Sequence, residues 1–197
     1  MIRTRKRPAV SFVETLGSPA LKKKSEPVTE FDAALQKLAE HMLDDMEKFN
    51  GIGLAAPQVG RNLRMIVVGV PLDSMSAPAS PGEMLLLPRM PLILLNPEII
   101  ESSEETAERE EGCLSVPGIW AKVVRPRFVK FRATLPDGEK IECDCDGLLA
   151  RCLQHEIDHL NGITFIDRLS PQEYAKVEVK VKNLRREGGR SNYRRTV

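Results

Sequence analysis

The chain has 197 residues, enough for one domain with its own hydrophobic core, and its 42% hydrophobic and 29% charged residues exclude a disordered or fibrous protein. Lys and Arg number 29 against 28 Asp and Glu, so the net charge of +1 excludes a polyelectrolyte. Basic runs nevertheless stand at both ends, as Arg3, Arg5, Lys6 and Arg7 and as Arg185, Arg186, Arg190, Arg194 and Arg195.

Thr29, with Asp32 as cap partner, opens the first predicted helix. Phe31, Leu35, Leu38, Met42, Met46 and Phe49 recur at steps of three or four, and Asn50-Gly51 ends the run. His41 within it reads as an ordinary helix residue. Leu63 to Val70 reads as a strand. Pro71 to Pro91, rich in proline, reads as a loop. Leu92 to Ile100 resumes strand character, with Pro97 marking an edge or break. Ser102 to Glu111 is an acidic connection. Val123 to Thr134 and Lys140 to Cys145 read as strands joined by the turn Leu135-Pro136-Asp137-Gly138. In the second, Ile141, Cys143 and Cys145 alternate with acidic residues, which puts both thiols on an apolar face. Asp146-Gly147 turns the chain into a helix running to about Leu160. Ser170-Pro171-Gln172-Glu173 starts a last helix, part of which also alternates like a strand through Val177, Val179 and Val181. The expected division is one catalytic domain over 1–182 and a basic, disordered tail over 183–197. No apolar run reaches membrane-helix length, since Met84–Leu87 stops at Pro88. The basic start lacks a following apolar segment, so neither a membrane partner nor a signal peptide is expected, and the expected location is cytoplasmic. Cys113, Cys143, Cys145 and Cys152 lack a disulfide-framework spacing and read as reduced thiols or a metal ligand.

His155-Glu156-Ile157-Asp158-His159 carries the chemistry. Histidines at i and i+4 share a helix face, so two imidazoles can bind one ion while Glu156 approaches a bound water. Leu148 and Cys152 continue that stripe, which makes the face partly buried and favours neutral imidazole. A hydrolytic site needs a third protein ligand and an open position. A metzincin would place a histidine where Phe165 stands, which rejects that class. A thermolysin-like protease would take a downstream glutamate, for which Glu178 is suitably spaced. A cysteine is the third option, and Cys113, in Glu111-Gly112-Cys113-Leu114-Ser115 before an expected turn at Val116-Pro117-Gly118, is the candidate.

Together with Gly51-Ile52-Gly53-Leu54-Ala55-Ala56-Pro57-Gln58, these segments supply three motifs in the order found in the peptide deformylase family, and the chain from about Leu16 to Phe165 resembles that family. The resemblance implies an α+β fold with antiparallel sheets around a central helix bearing His155 and His159. It implies a metallohydrolase that removes the formyl group from N-terminal formylmethionine of newly made polypeptides and releases formate. The metal ligands would be Cys113, His155 and His159. The ion would be one divalent metal, Fe2+ in the cell, with Zn2+, Ni2+ or Co2+ able to replace it. Glu156 would be the acid–base catalyst, and the Gln58 side chain and Leu114 backbone N–H would stabilise the oxyanion. Ile52, Gly53, Leu114, Cys152 and the stem of Arg151 would line a slot for the methionine, while the Ile52 and Gly112 backbones would flank an extended substrate. Arg125 would pair with Glu111. The chain departs from the family at Trp120, where many members carry a basic residue, so contacts beyond methionine are open. The basic tail suggests ribosome contact. The alternatives are a thermolysin-like zinc protease, a catalytically silent protein binding nascent chains or ribosomes, and a structural zinc domain.

Overall fold

The structure is a computed structural model that describes residues 12–188 and the backbone of 190–191. The basic run at Arg3 to Arg7 and the tail residues Arg194 and Arg195 lie outside the described residues. A five-stranded antiparallel sheet forms the centre, in the order β2 (Gly53–Ala55), β3 (Met65–Val68), β4 (Leu92–Ser102), β7 (Val129–Thr134), β8 (Lys140–Cys145). Strand alternation divides its side chains between two helices. Ile66, Val68, Leu94 and Phe131 meet Leu149, Ala150, Leu153 and Ile157 of α3 (Gly147–Leu160). Met65, Val67 and Leu95 meet Leu35, Ala39, Met42 and Met46 of α1 (Ala33–Lys48). Burial on both faces explains why Met65 to Val68 is apolar at every position. The α+β architecture around a central helix agrees with the sequence expectation.

A separate hairpin, β5 (Thr106–Cys113) with β6 (Val116–Pro126), builds a third core. There Val116, Ile119, Ala121 and Val123 pack with Phe165, Ile166 and Val181, the last from α4 (Pro171–Glu187). Cys113 lies at the edge of this core, partly buried, and so is held beside α3.

Several boundaries differ from those read in the sequence. The cap of α1 is Asp32, whose carboxylate accepts the Leu35 N–H at 2.7 Å, and residues 29–31 precede the helix. Asn50 ends the turn after it at φ 53°, a conformation Asn tolerates. Pro97 is inside β4. A register shift between Leu95 and Glu98 absorbs it, and Asn96, at φ 49°, uses its side chain to pair with both backbone groups of Val28 at 2.8 Å. The segment 71–91 is not a plain loop. It holds two 3-10 turns, Leu72–Ser74 and Leu87–Arg89, and the short helix α2 (Pro81–Leu86). Its buried Glu83 carboxylate accepts from Ser76 N, Ser80 N and Ser80 Oγ.

The acidic stretch 102–111 is largely strand β5. The turn is at Leu114-Ser115, not at Val116-Pro117-Gly118, which already belongs to β6. The strand drawn from Val123 to Thr134 is broken at residues 127–128, where the chain passes from the hairpin to the central sheet. The turn before β8 closes with Gly138 N–H on Leu135 O at 2.9 Å, and Cys143 and Cys145 are buried as expected. Helix α4 is wholly helical and continues to Glu187, five residues past the expected tail boundary, because Leu184 still packs on the third core. Arg190–Ser191 then form β9, paired with β1 (Val13–Glu14). Among the described residues, no helix is long and apolar enough to cross a membrane.

Candidate metal centre

Cys113 comes from the hairpin, and His155 and His159 come from successive turns of α3. Their ligand atoms all lie within 4.8 Å of one another. Cys113 Sγ is 3.2 Å from His159 Nε2. His155 Nδ1 donates to Glu111 Oε2 at 2.9 Å, which orients the ring and leaves Nε2 as the nitrogen that would take a metal, displacing its proton. His159 is buried, and its Nδ1 has no hydrogen-bond partner among the described residues. Burial, with the nearby His155 and Arg125 charges, depresses its pKa well below the ordinary value, so the ring is neutral. For His155, burial opposes the charge, but contacts with Cys113 and Glu111 outweigh it and raise the pKa. One thiol and two oriented imidazoles converging from one side suit a divalent transition metal with an open position.

Glu111 organises the surroundings. Arg125 Nε and Nη2 donate to its two oxygens at 2.6 and 3.0 Å, and Arg151 Nη1 donates at 2.6 Å. Burial alone would raise the Glu111 pKa, but hydrogen bonds from His155 and Arg125 drive it well below the carboxylate range. Arg125 also reaches Asp158 Oδ2 at 2.8 Å, and Arg168 grips Asp158 through Nε and Nη2. The sequence reading anticipated the Arg125–Glu111 pair. It missed His155 on Glu111, and Asp158 as the second acceptor. The only sequence signal for the latter was the acidic residue inside the H-E-x-x-H motif.

The remaining expected site residues surround the donors. Glu156 Oε2 is buried without a hydrogen-bond partner among the described residues, and burial pushes the carboxyl up to about 7. A side chain at Gly53 would come within 2.5 Å of Glu156 Oε1 and 2.9 Å of Cys152 Sγ, so the glycine makes room for both. Cys152 Sγ faces Ile52 O at 3.3 Å. Buried Gln58 accepts the Ala55 N–H through Oε1 at 2.8 Å, while its amide nitrogen reaches Ser115 Oγ at 3.1 Å and Cys113 Sγ at 3.5 Å. Ile52, Gly53, Gln58, Gly112, Leu114, Arg151, Cys152 and Glu156 line one cavity of about 450 Å³ with Cys113 and His155. A larger cavity of about 850 Å³ lies against Gln154, Ile157, Asp158 and Asn161 and holds none of the three donors. Glu178, the thermolysin-like alternative, pairs with Lys182 at 2.8 Å on α4, away from this cluster. Phe165, at the metzincin position, stacks on His155 with ring centroids 6.2 Å apart.

Residues 10–175 match the family model described as polypeptide deformylase. The chain belongs to the peptide deformylase family. It is 44% identical over 169 residues to the peptide deformylase of Brucella suis biovar 1, covering 86% of this chain and 90% of that protein. The crystal structure of a peptide deformylase from Legionella pneumophila has a TM-score of 0.74 and 38% identity, covering 91% of this chain and 97% of that one. A Plasmodium falciparum peptide deformylase, in complex with inhibitor, has a TM-score of 0.75 and 36% identity, covering 88% and 99%. Membership in this deformylase family makes the chain a metallohydrolase and disfavours the protease and binding-protein alternatives.

Proposed function

We propose that this chain hydrolyses the formyl group from N-terminal formylmethionine of new polypeptides, with Cys113, His155 and His159 holding one divalent ion. The observation that carries the reading is the buried carboxylate of Glu156, whose Oε2 has no hydrogen-bond partner among the described residues, beside that converging donor set. When bound, the ion supplies Lewis acidity and makes a water acidic enough to yield its proton near neutral pH. Glu156 accepts this proton. A carboxyl group raised to about 7 suits both accepting it and returning it to the leaving amine. Gln58 and the Leu114 backbone N–H donate to the oxyanion that develops on the formyl oxygen. Ser115 and Ala55 fix the orientation of the Gln58 amide. Ile52, Gly53, Leu114, Cys152 and the Arg151 stem shape the methionine slot. The Arg151 guanidinium, tied to Glu111, Val123 O and Ala107 O, stiffens its wall.

In the cell we assign Fe2+ to the site and the cytoplasm, where translation exposes formylated termini, as the location. Zn2+, Ni2+ or Co2+ would fit the same donors. The described chain acts as one catalytic unit through α4. The basic C-terminal segment over 183–197 provides a ribosome contact, and replacing Arg185, Arg186, Arg190, Arg194 and Arg195 with glutamine tests that contact. Weaker cosedimentation with ribosomes at low salt is expected, and unchanged cosedimentation would refute it.

Replacing Glu156 with Gln should cut turnover by at least about 10²-fold, the scale of a lost general acid–base, while metal content measured by elemental analysis stays the same. Near-normal formate release by that variant would remove Glu156 from the mechanism.

A further inference from the structure

We propose that Trp120 and Glu110 form a subsite for a basic side chain at the residue following the formylmethionine. The proposal rests on the deformylase reading above. Trp120 is the chain's one tryptophan and is 63% exposed, although it lines the cavity that holds Cys113 and His155. Its place is well defined. It pairs across the hairpin with Gly112, where an added Cβ would meet three ring atoms at 2.8 Å. The indole therefore covers the Gly112 backbone and leaves much of its surface to solvent at the cavity's rim.

Alternation and register place Glu108 and Glu110 on the same hairpin face as Trp120 and Lys122. Lys122 Nζ is committed to Glu108 Oε1 at 3.2 Å. Glu110 lines the same cavity as Trp120 and makes no ion pair among the described residues. Phe49, another aromatic lining the cavity, already lies under Lys48, whose Nζ is 5.3 Å from the ring centroid. The rim thus presents together an open indole face and a carboxylate that makes no ion pair among the described residues, although Lys122, opposite it in register, acts on its charge from beyond ion-pair distance. A lysine or arginine side chain satisfies both, one by cation–π attraction and the other by charge. In an extended substrate, successive side chains point to opposite sides. With methionine turned into the slot, the next residue turns outward, toward the face that Trp120 presents.

The test compares kcat/KM for formyl-Met-Lys-Ser, formyl-Met-Ala-Ser and formyl-Met-Glu-Ser with the metal-loaded protein. Lysine should exceed alanine by roughly 2- to 5-fold, the scale of an exposed cation–π contact, and glutamate should fall below alanine. Trp120→Ala should erase the lysine preference, Trp120→Phe should keep part of it, and Glu110→Gln should narrow the gap between lysine and glutamate. Equal values for lysine and alanine in the unaltered protein, or a lysine preference that survives Trp120→Ala, would overturn the subsite while leaving deformylation intact. Absence of formate from every peptide would instead overturn the underlying deformylase reading. The emission of the single tryptophan then decides the subsite. A change that saturates at lower formyl-Met-Lys-Ser than formyl-Met-Glu-Ser concentration supports it, and unchanged emission overturns it.

Discussion

Glu156 sits between two donors on α3, and its surroundings set its proton affinity. Burial raises its pKa and the neighbouring Glu111 charge adds to this, while His155 and Arg125 oppose it. Gly53 provides the room the carboxylate occupies. Gly53→Ala should therefore displace Glu156 and lower kcat by about 10- to 100-fold, the scale of a misplacement near 1 Å, without unfolding the protein. Formate assays and thermal melts on the same preparation would check this, and unaltered kcat would mean that Glu156 adapts at no cost. His155 and His159 were legible as a pair because helical spacing puts them on one face, whereas Cys113 was singled out by its own motif and the family resemblance. Glu111 as the partner of His155 was not legible, because 44 residues separate them and no periodicity links a strand residue to a helix residue. The same applies to Ser115 holding the Gln58 amide across 57 residues.

At the scale of elements, local signals succeeded where they were read and failed where they were passed over. Ser170-Pro171-Gln172-Glu173 was recognised as a helix start. Ser80-Pro81-Gly82-Glu83 carries the same signature, but the surrounding prolines hid it, and α2 begins there. Strand β5 was missed for a different reason. Glu108, Glu110 and Thr106 face solvent, so the strand lacks an apolar face, and its stability comes from pairing with β6. The break at residues 127–128 was invisible because both flanking segments alternate well enough to read as one strand. Glu83 is the element-scale test. Removing its carboxylate leaves Ser76 N and Ser80 N without acceptors at a buried helix start. Glu83→Ala should cost about 1–3 kcal/mol, read as a lower denaturant midpoint with an unchanged m-value. An unchanged midpoint would mean that α2 contributes little to global stability.

Across the whole molecule, the central sheet is covered on one face by α1 and on the other by α3, and the hairpin brings Cys113 to the two histidines of α3. The site thus joins two parts of the fold that are distant in sequence. Buried Asp158, Arg125 and Glu111, joined by His155 at one end and by the exposed Arg168 at the other, tie the helix to the hairpin behind the donors. Breaking such a network leaves an uncompensated buried charge, so its members act together. The most direct test of the central claim is formate release from a short formyl-Met peptide under anaerobic conditions. Four preparations would be compared: metal-loaded protein, protein stripped by a chelator, stripped protein with Fe2+ restored, and Cys113→Ala. The account predicts formate from the first and third only, with no release from the unformylated peptide. Formate from the stripped protein or from Cys113→Ala at the full rate would contradict it, as would cleavage of internal peptide bonds in place of formate release.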